Sequence, residues 1–317
     1  MNIESNIIDY LSKSHHKIGD DCAYLNDTKQ LISTDSLIEG VHFDLKNFTP
    51  RQIAHRLFLS NYSDILSSGG SPRYALLNVN TPHKKYKTTF KIIKELENYL
   101  KNFRIELIGG DTTSSPSNIN FTLTLISKKI DKKFVLKRSS AKINENIYTF
   151  EKIGYSKLGY LSIFKNIKLP SIVKKLAQQQ FLEPKIYSYD LIFRKINISA
   201  CMDISDGLIR SLEILSKASR VKIILDDLSG INISLKKQIN NDMKYNSLIL
   251  TSAEEYVPLF TSHQKLIELN KLKFFKSNQI KVVKVGVIKK GKGVTSRFIN
   301  LKNFKSFDHF KNNYGKL

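Results

Sequence analysis

Apolar positions along the first half of the chain recur with two alternating periods, and each period predicts an element. Residues 31–35 read as a short strand ending at polar residues. Residues 50–68 carry Ile53, Leu57, Ile65 and Leu66 near helical spacing and close on Gly69-Gly70, which predicts a helix. Residues 74–79 are apolar enough for a buried strand. Residues 88–100 predict a second amphipathic helix, with Phe90, Ile93, Leu96 and Leu100 on one face. Residues 105–108 run into Gly109-Gly110-Asp111, and residues 119–127 alternate as a strand does.

A lysine-rich stretch, residues 128–137, then interrupts the pattern. Beyond it the same style resumes. Residues 200–204 lead into Asp206-Gly207 and a helix through Leu215, residues 248–251 precede an acidic turn, and residues 282–287 form another strand. Neither a short-period repeat nor a low-complexity segment is present. The pattern predicts mixed α/β architecture in two domains, 1–137 and 138–317. Length agrees, since 317 residues exceed what one small core usually holds.

Composition changes this picture little. Hydrophobic residues at 41% and charged residues at 25% suit a globular chain. No apolar run approaches the ~20 residues of a membrane span. The opening Met1-Asn2-Ile3-Glu4-Ser5 lacks the basic and apolar parts of a signal peptide. The two cysteines, Cys22 and Cys201, predict packing residues and no disulfide framework. A cytoplasmic location is expected. The net charge of +23 raises nucleic-acid binding, but the lysines are scattered and no DNA- or RNA-binding motif accompanies them. No specific nucleic-acid partner and no membrane partner are expected.

The acids are scarce and unevenly placed. Asp20 and Asp21 follow Gly19, Asp35 follows Ser33-Thr34, and Asp111 follows Gly109-Gly110. Asp203 and Asp206 flank Ile204-Ser205. Each would sit where an apolar strand ends beside Gly, Ser or Thr; Asp64 lies instead inside a predicted helix. A single such Asp is ordinarily a turn residue or an N-cap. Several converging carboxylates repel unless a cation is present, and hard oxygen ligands suit Mg²⁺. Flanking glycines let main-chain N–H groups approach phosphate oxygens.

In order and wording these segments resemble the thiamine-monophosphate kinases, within the aminoimidazole-ribonucleotide-synthetase-like ATP-binding enzymes. The matching pieces are Ile18-Gly19-Asp20-Asp21-Cys22-Ala23, then Ser33-Thr34-Asp35-Ser36-Leu37-Ile38-Glu39-Gly40-Val41-His42-Phe43. Next come Asn61-Tyr62-Ser63-Asp64-Ile65 with Gly69-Gly70-Ser71-Pro72, and Leu107-Ile108-Gly109-Gly110-Asp111-Thr112. Arg138-Ser139-Ser140-Ala141-Lys142 and Asp203-Ile204-Ser205-Asp206-Gly207-Leu208 follow, and Phe304-Lys305-Ser306-Phe307-Asp308-His309-Phe310 closes the chain. The Gly40-to-Phe43 element and the His309-Phe310 ending point to the thiamine branch.

The resemblance implies an ATP-dependent kinase converting thiamine monophosphate and ATP into thiamine diphosphate and ADP. It implies a two-domain fold whose N-terminal sheet forms a barrel across a homodimer, with the active groove between the domains. Asp21, Ser33, Thr34, Asp35, Asp64, Asp111, Asp203 and Asp206 are the implied magnesium ligands. Gly110, Asp111, Arg138 and Ser205 are the implied ATP contacts, with Arg138 also stabilising charge. His42, Glu254 and Phe304 are the implied thiamine monophosphate contacts, Phe304 offering a stacking surface. The attacking group would be the substrate's own phosphate, so no general base is required.

Three segments depart from the family or imitate another motif. Where the family has a Gly-Gly-Glu-Asp-Tyr run, this chain has Ser252-Ala253-Glu254-Glu255-Tyr256. If the backbone there needs positive φ or close approach to substrate, Ser252 and Ala253 would hinder it. The family's Gly-Asp before the strand near residue 146 is Asn144-Glu145, and its glycine-rich turn afterwards is Glu151-Lys152-Ile153-Gly154. Gly286 to Gly293 nearly spells a phosphate-binding loop but ends in Gly where Ser or Thr should stand, so a hairpin turn with exposed lysines is expected. His15-His16 has no neighbouring ligands in sequence to make a metal site.

Two other functions compete with the kinase. A related enzyme of the same superfamily could carry phosphate to another acceptor, which Val41-His42-Phe43 argues against. A non-catalytic ATP-binding protein is the other, and retention of the full acid set argues against it.

Overall fold

The computed structural model describes residues 3–15, 17–239 and 241–304. His16 and residues 305–310 of the closing motif lie outside the described residues. The described chain forms two units, one up to Val135 and one from Leu136 onward.

In the first unit, α1 (Ile3–Leu11), β1 (Ala23–Leu25) and β2 (Gln30–Ile38) precede the long helix α2 (Pro50–Ser67). Then come β3 (Pro72–Thr81), α3 (Tyr86–Asn102), β4 (Glu106–Ser114) and β5 (Asn120–Ser127). The sheet runs β1-β2-β5-β3-β4, antiparallel except for the β3–β4 pair. Helix α2 starts on a capping box: Gln52 N donates to Thr49 Oγ1 and Thr49 N to Gln52 Oε1, with Pro50 first in the helix. It ends before Gly69 at φ 86°, and Gly70 lets Leu31 and Ile65 close in, since a Cβ there would lie 2.8 Å from Leu31 Cδ1.

One face of the sheet is apolar, with Leu31, Leu37, Ala75, Leu77, Val79, Phe121, Leu123 and Leu125 buried. Ile53, Leu57 and Ile65 of α2 are buried too, and α2 lies against β2 and β5. The other face carries hydroxyls, Thr34 bonded to Thr124 and Ser36 to Thr122.

Three expectations are corrected here. β2 does not stop at Asp35 but continues to Ile38, because its polar residues pair across the open face rather than ending the strand. Gly109, Gly110 and Asp111 lie within β4, not after it. In α3 the buried stripe is Thr89, Ile92, Leu96 and Leu100, one position from the expected face, and Phe90 is exposed. The rotation follows from the buried Thr89 hydroxyl, which bonds Thr81 Oγ1 at 2.7 Å.

The second unit contains β6 (Asn146–Phe150), α4 (Tyr155–Phe164), α5 (Ser171–Leu182), α6 (Asp190–Phe193), β7 (Cys201–Asp203), α7 (Leu208–Ser219) and β8 (Lys222–Leu225). It continues with α8 (Ile233–Gln238), α9 (Asp242–Thr251), β9 (Pro258–Ser262), α10 (Leu266–Lys271), α11 (Lys273–Ser277), β10 (Val282–Lys289) and β11 (Gly293–Ser296). Its sheet runs β11-β8-β10-β6-β9-β7. The expected hairpin at 290–292 is not one. β10 and β11 both pair with β8, on opposite sides, so the turn steps over the start of β8. Gly291 (φ 129°) makes that possible, since a Cβ there would sit 3.2 Å from Lys222 Cβ.

Candidate active site

A helix and the start of the sheet bring Asp21 and Asp64 of the first unit together. Ser33 and Asp35 point to the same face as Leu31 and Leu37, toward α2. Ser33 Oγ donates to Asp64 Oδ2 at 2.6 Å. One helical turn on from Asp64, Ser67 Oγ lies 3.2 Å from Asp21 Oδ2 and 3.0 Å from the Asp64 main-chain oxygen. Carboxylate oxygens of Asp21 and Asp64 lie within 4.8 Å of each other. Two carboxylates so close, half-buried, repel unless a cation or proton lies between them. Their oxygens and the Ser33 hydroxyl are a hard donor set, and this donor chemistry fits Mg²⁺.

Cys22 is buried beside them. Burial first, and then the Asp64, Asp21 and Asp20 carboxylates, push its thiol well above the ordinary value, against a bond from Ser68. It stays protonated and inert, as a packing residue does.

Thr34 and Asp111 are placed differently. Thr34 turns its hydroxyl to the open face, toward Thr124. The register Ser36, Thr122, Asn78, Asp111 puts Asp111 on that face as well, on edge strand β4. It stands three strands from β2, about 14 Å at ~4.8 Å per strand. Asp111 is therefore not gathered with Asp21 and Asp64 within this unit. Gly110 is required by its surroundings, because at φ 153° a Cβ would lie 1.9 Å from the Leu77 carbonyl oxygen.

The Gly40-to-Phe43 loop follows β2. Gly40 takes φ 83°, its N–H bonds Phe43 O, and Phe43 is buried. His42 Nδ1 accepts the Ile38 N–H at 3.0 Å, which leaves Nε2 as the ring's donor when neutral. Sequence reasoning missed what braces this loop. Glu39 receives Lys85 Nζ at 2.6 and 2.7 Å and the Ile119 N–H at 2.8 Å. It missed Ser67 too, although three residues after Asp64 on one helix was a legible signal.

In the second unit Asp203 ends β7 and is buried, and Ser205, Asp206 and Gly207 lead into α7. Gly207 (φ 96°) packs against Thr251, with a virtual Cβ 3.2 Å from its carbonyl carbon. Arg138 is held elsewhere: Ser219, the last residue of α7, donates to the Arg138 carbonyl at 2.8 Å. Ser219 stands roughly 18 Å along the helix from its N-cap, Gly207, at 1.5 Å per residue. Phe304, half-buried, follows a short turn at Leu301–Asn303.

The Ser252–Tyr256 segment corrects the sequence argument. Ser252 has φ −74°, and the left-handed residues are Glu254 (φ 58°) and Tyr256 (φ 50°). Neither Ser252 nor Ala253 takes the positive φ that would favour glycine. The Glu254 N–H donates to Ser205 O at 2.6 Å, which lays the segment beside the Asp203–Asp206 turn. Glu255 is buried while Glu254 is partly exposed. Likewise Asn144, in the family's Gly position, adopts φ 68°, and Glu145 is buried and bonded to Ser199 and Thr261.

With fold and carboxylates described, comparison with known proteins is informative. Residues 19–127 match the family model for the AIR synthase related protein, N-terminal domain. This defines the class, two-domain aminoimidazole-ribonucleotide-synthetase-like proteins. The chain is 33% identical to the thiamine-monophosphate kinase of Leptospira interrogans over 78% of its own length and 79% of that protein's. It is 32% identical to the enzyme of the same name from Buchnera aphidicola of Acyrthosiphon pisum, over 82% and 80%. The structure of AaThiL complexed with AMPPCP and TMP superposes with TM-score 0.78 at 23% identity, over 97% of each chain. The chain belongs to the thiamine-monophosphate kinase family, which are ATP-dependent kinases. Among the described residues no helix is long and apolar enough to cross a membrane.

Proposed function

We propose that the protein phosphorylates thiamine monophosphate to thiamine diphosphate at the expense of ATP, as a homodimer in the cytoplasm, where ATP is. The observation that carries this is the Asp21–Asp64 pair, with Ser33 bonded to Asp64, inside a sequence of this family. An oxygen of the thiamine monophosphate phosphate attacks the γ-phosphorus of ATP in line, the bond to the bridging oxygen breaks, and ADP leaves. The attacking phosphate is mostly ionised at neutral pH, its second pKa being about 6, so no side chain takes a proton.

Asp21, Ser33, Thr34, Asp35, Asp64, Asp111, Asp203 and Asp206 hold Mg²⁺ in this reading. Bound there, the metal neutralises charge that builds up as two anions approach. Gly110, Asp111, Arg138 and Ser205 orient the nucleotide, with Arg138 supplying a cation. His42, through its Nε2–H, Glu254 and Phe304 orient thiamine monophosphate. The second copy is supported by β4, exposed along its length with Leu107 at 46% and Ile108 at 51%. An edge of that kind invites pairing.

The test is incubation of purified protein with ATP, Mg²⁺ and thiamine monophosphate, following thiamine diphosphate by chromatography, beside Asp35→Asn. Product from the wild type that vanishes in the variant is expected. ATP binding with no turnover of thiamine monophosphate would overturn the assignment.

A further inference from the structure

Glu254 and Tyr256 both have left-handed backbones, which non-glycine residues adopt at a cost and keep only where neighbours hold them. Between them Glu255 is 1% exposed. Its Oε1 accepts the Gly154 N–H at 2.6 Å, the Ser252 hydroxyl at 2.6 Å and the Ser156 N–H at 3.4 Å. These amides open α4, whose N-cap is Gly154 at φ 103°. Ser252 Oγ in turn accepts the Lys157 N–H at 2.8 Å. Lys157 Nζ reaches back to Thr251 Oγ1 at 2.5 Å and Ser247 Oγ at 3.2 Å on α9.

On the opposite side the same segment is tied to the acidic turn. The Glu254 N–H bonds Ser205 O, and the Tyr256 N–H bonds Ile204 O at 3.0 Å. The segment is thus clamped between the start of α4 and residues 204–205, with Glu255 as the anchor on the α4 side. Within the clamped segment Glu255 is buried and Glu254 is partly exposed. A non-glycine residue held at positive φ needs neighbours of this kind to keep it there.

We propose that Glu255, with Ser252, is a positioning residue that fixes Glu254 for thiamine monophosphate without touching it. This rests on the reading of Glu254 as a substrate contact. Glu255 acts as an acceptor of three hydrogen bonds on one oxygen, a role a glutamine amide oxygen can fill and an alanine cannot.

The test compares Glu254→Gln, Glu255→Ala, Glu255→Gln and the double variant Glu254→Gln/Glu255→Ala in steady-state kinetics at pH 7.5. Glu254→Gln and Glu255→Ala are each expected to raise KM for thiamine monophosphate about tenfold, leaving KM for ATP within about twofold. Glu255→Gln should stay within about threefold of wild type, and the double variant should be no worse than about twofold beyond Glu254→Gln, because both changes remove one interaction. An unchanged KM in Glu255→Ala, or effects that multiply in the double variant, would overturn the proposal. If Glu254→Gln alone changes nothing, the substrate role of Glu254 fails instead. Should Glu255→Ala not fold, Ser252→Ala, which removes the hydroxyl donor to Glu255, carries the same comparison with a smaller rise in KM.

Discussion

The Asp21–Asp64 pair and the Glu255 cradle are carboxylate sites with opposite designs. In the first, two acids lie within 4.8 Å, and the hydrogen bonds at hand come from the hydroxyls of Ser33 and Ser67. In the second, one acid is fully buried and met by two main-chain amides and a hydroxyl. In the first arrangement the two charges repel unless a cation or proton lies between them. The second is satisfied from within and holds backbone in place. What differs between the two is the nearness of acid to acid as well as burial.

Replacing Asp64 by Asn should break the comparison most strongly. Activity is expected to fall at least 100-fold, while the melting temperature without Mg²⁺ stays the same or rises, because repulsion with Asp21 is relieved. Calorimetry with and without Mg²⁺ checks this, and a metal-dependent rise should be seen in the wild type only. A large loss of stability in Asp64→Asn would make the pair structural after all.

Next in size is Gly110→Ala, which puts a Cβ 1.9 Å from the Leu77 carbonyl at φ 153°. A loss of about 3 kcal/mol is expected in denaturant titration, since strand β4 must shift. It separates a backbone requirement near Asp111 from any loss of a ligand.

The Glu255 cradle can be read through pH. Burial, partly offset by bonds from Ser252, Gly154, Ser156 and Gln180, raises the Glu255 carboxyl from 4.5 to about 7. The folded state therefore holds the proton more tightly than the unfolded chain. This contribution to stability is complete below pH 4.5 and is lost as pH rises through about 7, a change on the order of 3 kcal/mol. The difference in unfolding free energy between wild type and Glu255→Gln should follow that window. A difference flat from pH 4 to 8 would show the carboxyl is not perturbed. Tyr187 sits near enough for the Glu255 charge to add to burial in raising its hydroxyl to about 12, so it does not titrate in this range.

The smallest effect is expected from Ser252→Ala. It removes one donor to Glu255 and one acceptor from Lys157, about 1 kcal/mol by thermal unfolding, and should leave nucleotide binding unchanged.

Much of this was legible in the chain. The capped helix 50–68 with Ile53, Leu57 and Ile65 inward was written in its period and its flanking Pro and glycines. The alternation of residues 119–127 named β5. The acid motifs pointed to the family that the comparisons found. Polar stretches misled where a sheet partner absorbed them: Thr34 and Ser36 look like a strand end until Thr124 and Thr122 stand opposite. Glycine misled where the chain found a substitute, as at Asn144, which takes φ 68° in a family glycine position.

By itself the sequence determined the types of element and the family, because periodicity and motif order are properties of neighbours along the chain. Only the tertiary structure decided that Asp64 shares a face with Ser33 and Asp21 while Thr34 and Asp111 turn to the open one. It alone separated Glu254 from Glu255. Two adjacent glutamates are equivalent in a sequence, and what distinguishes them is an amide pair supplied by residues 154 and 156, about a hundred positions away.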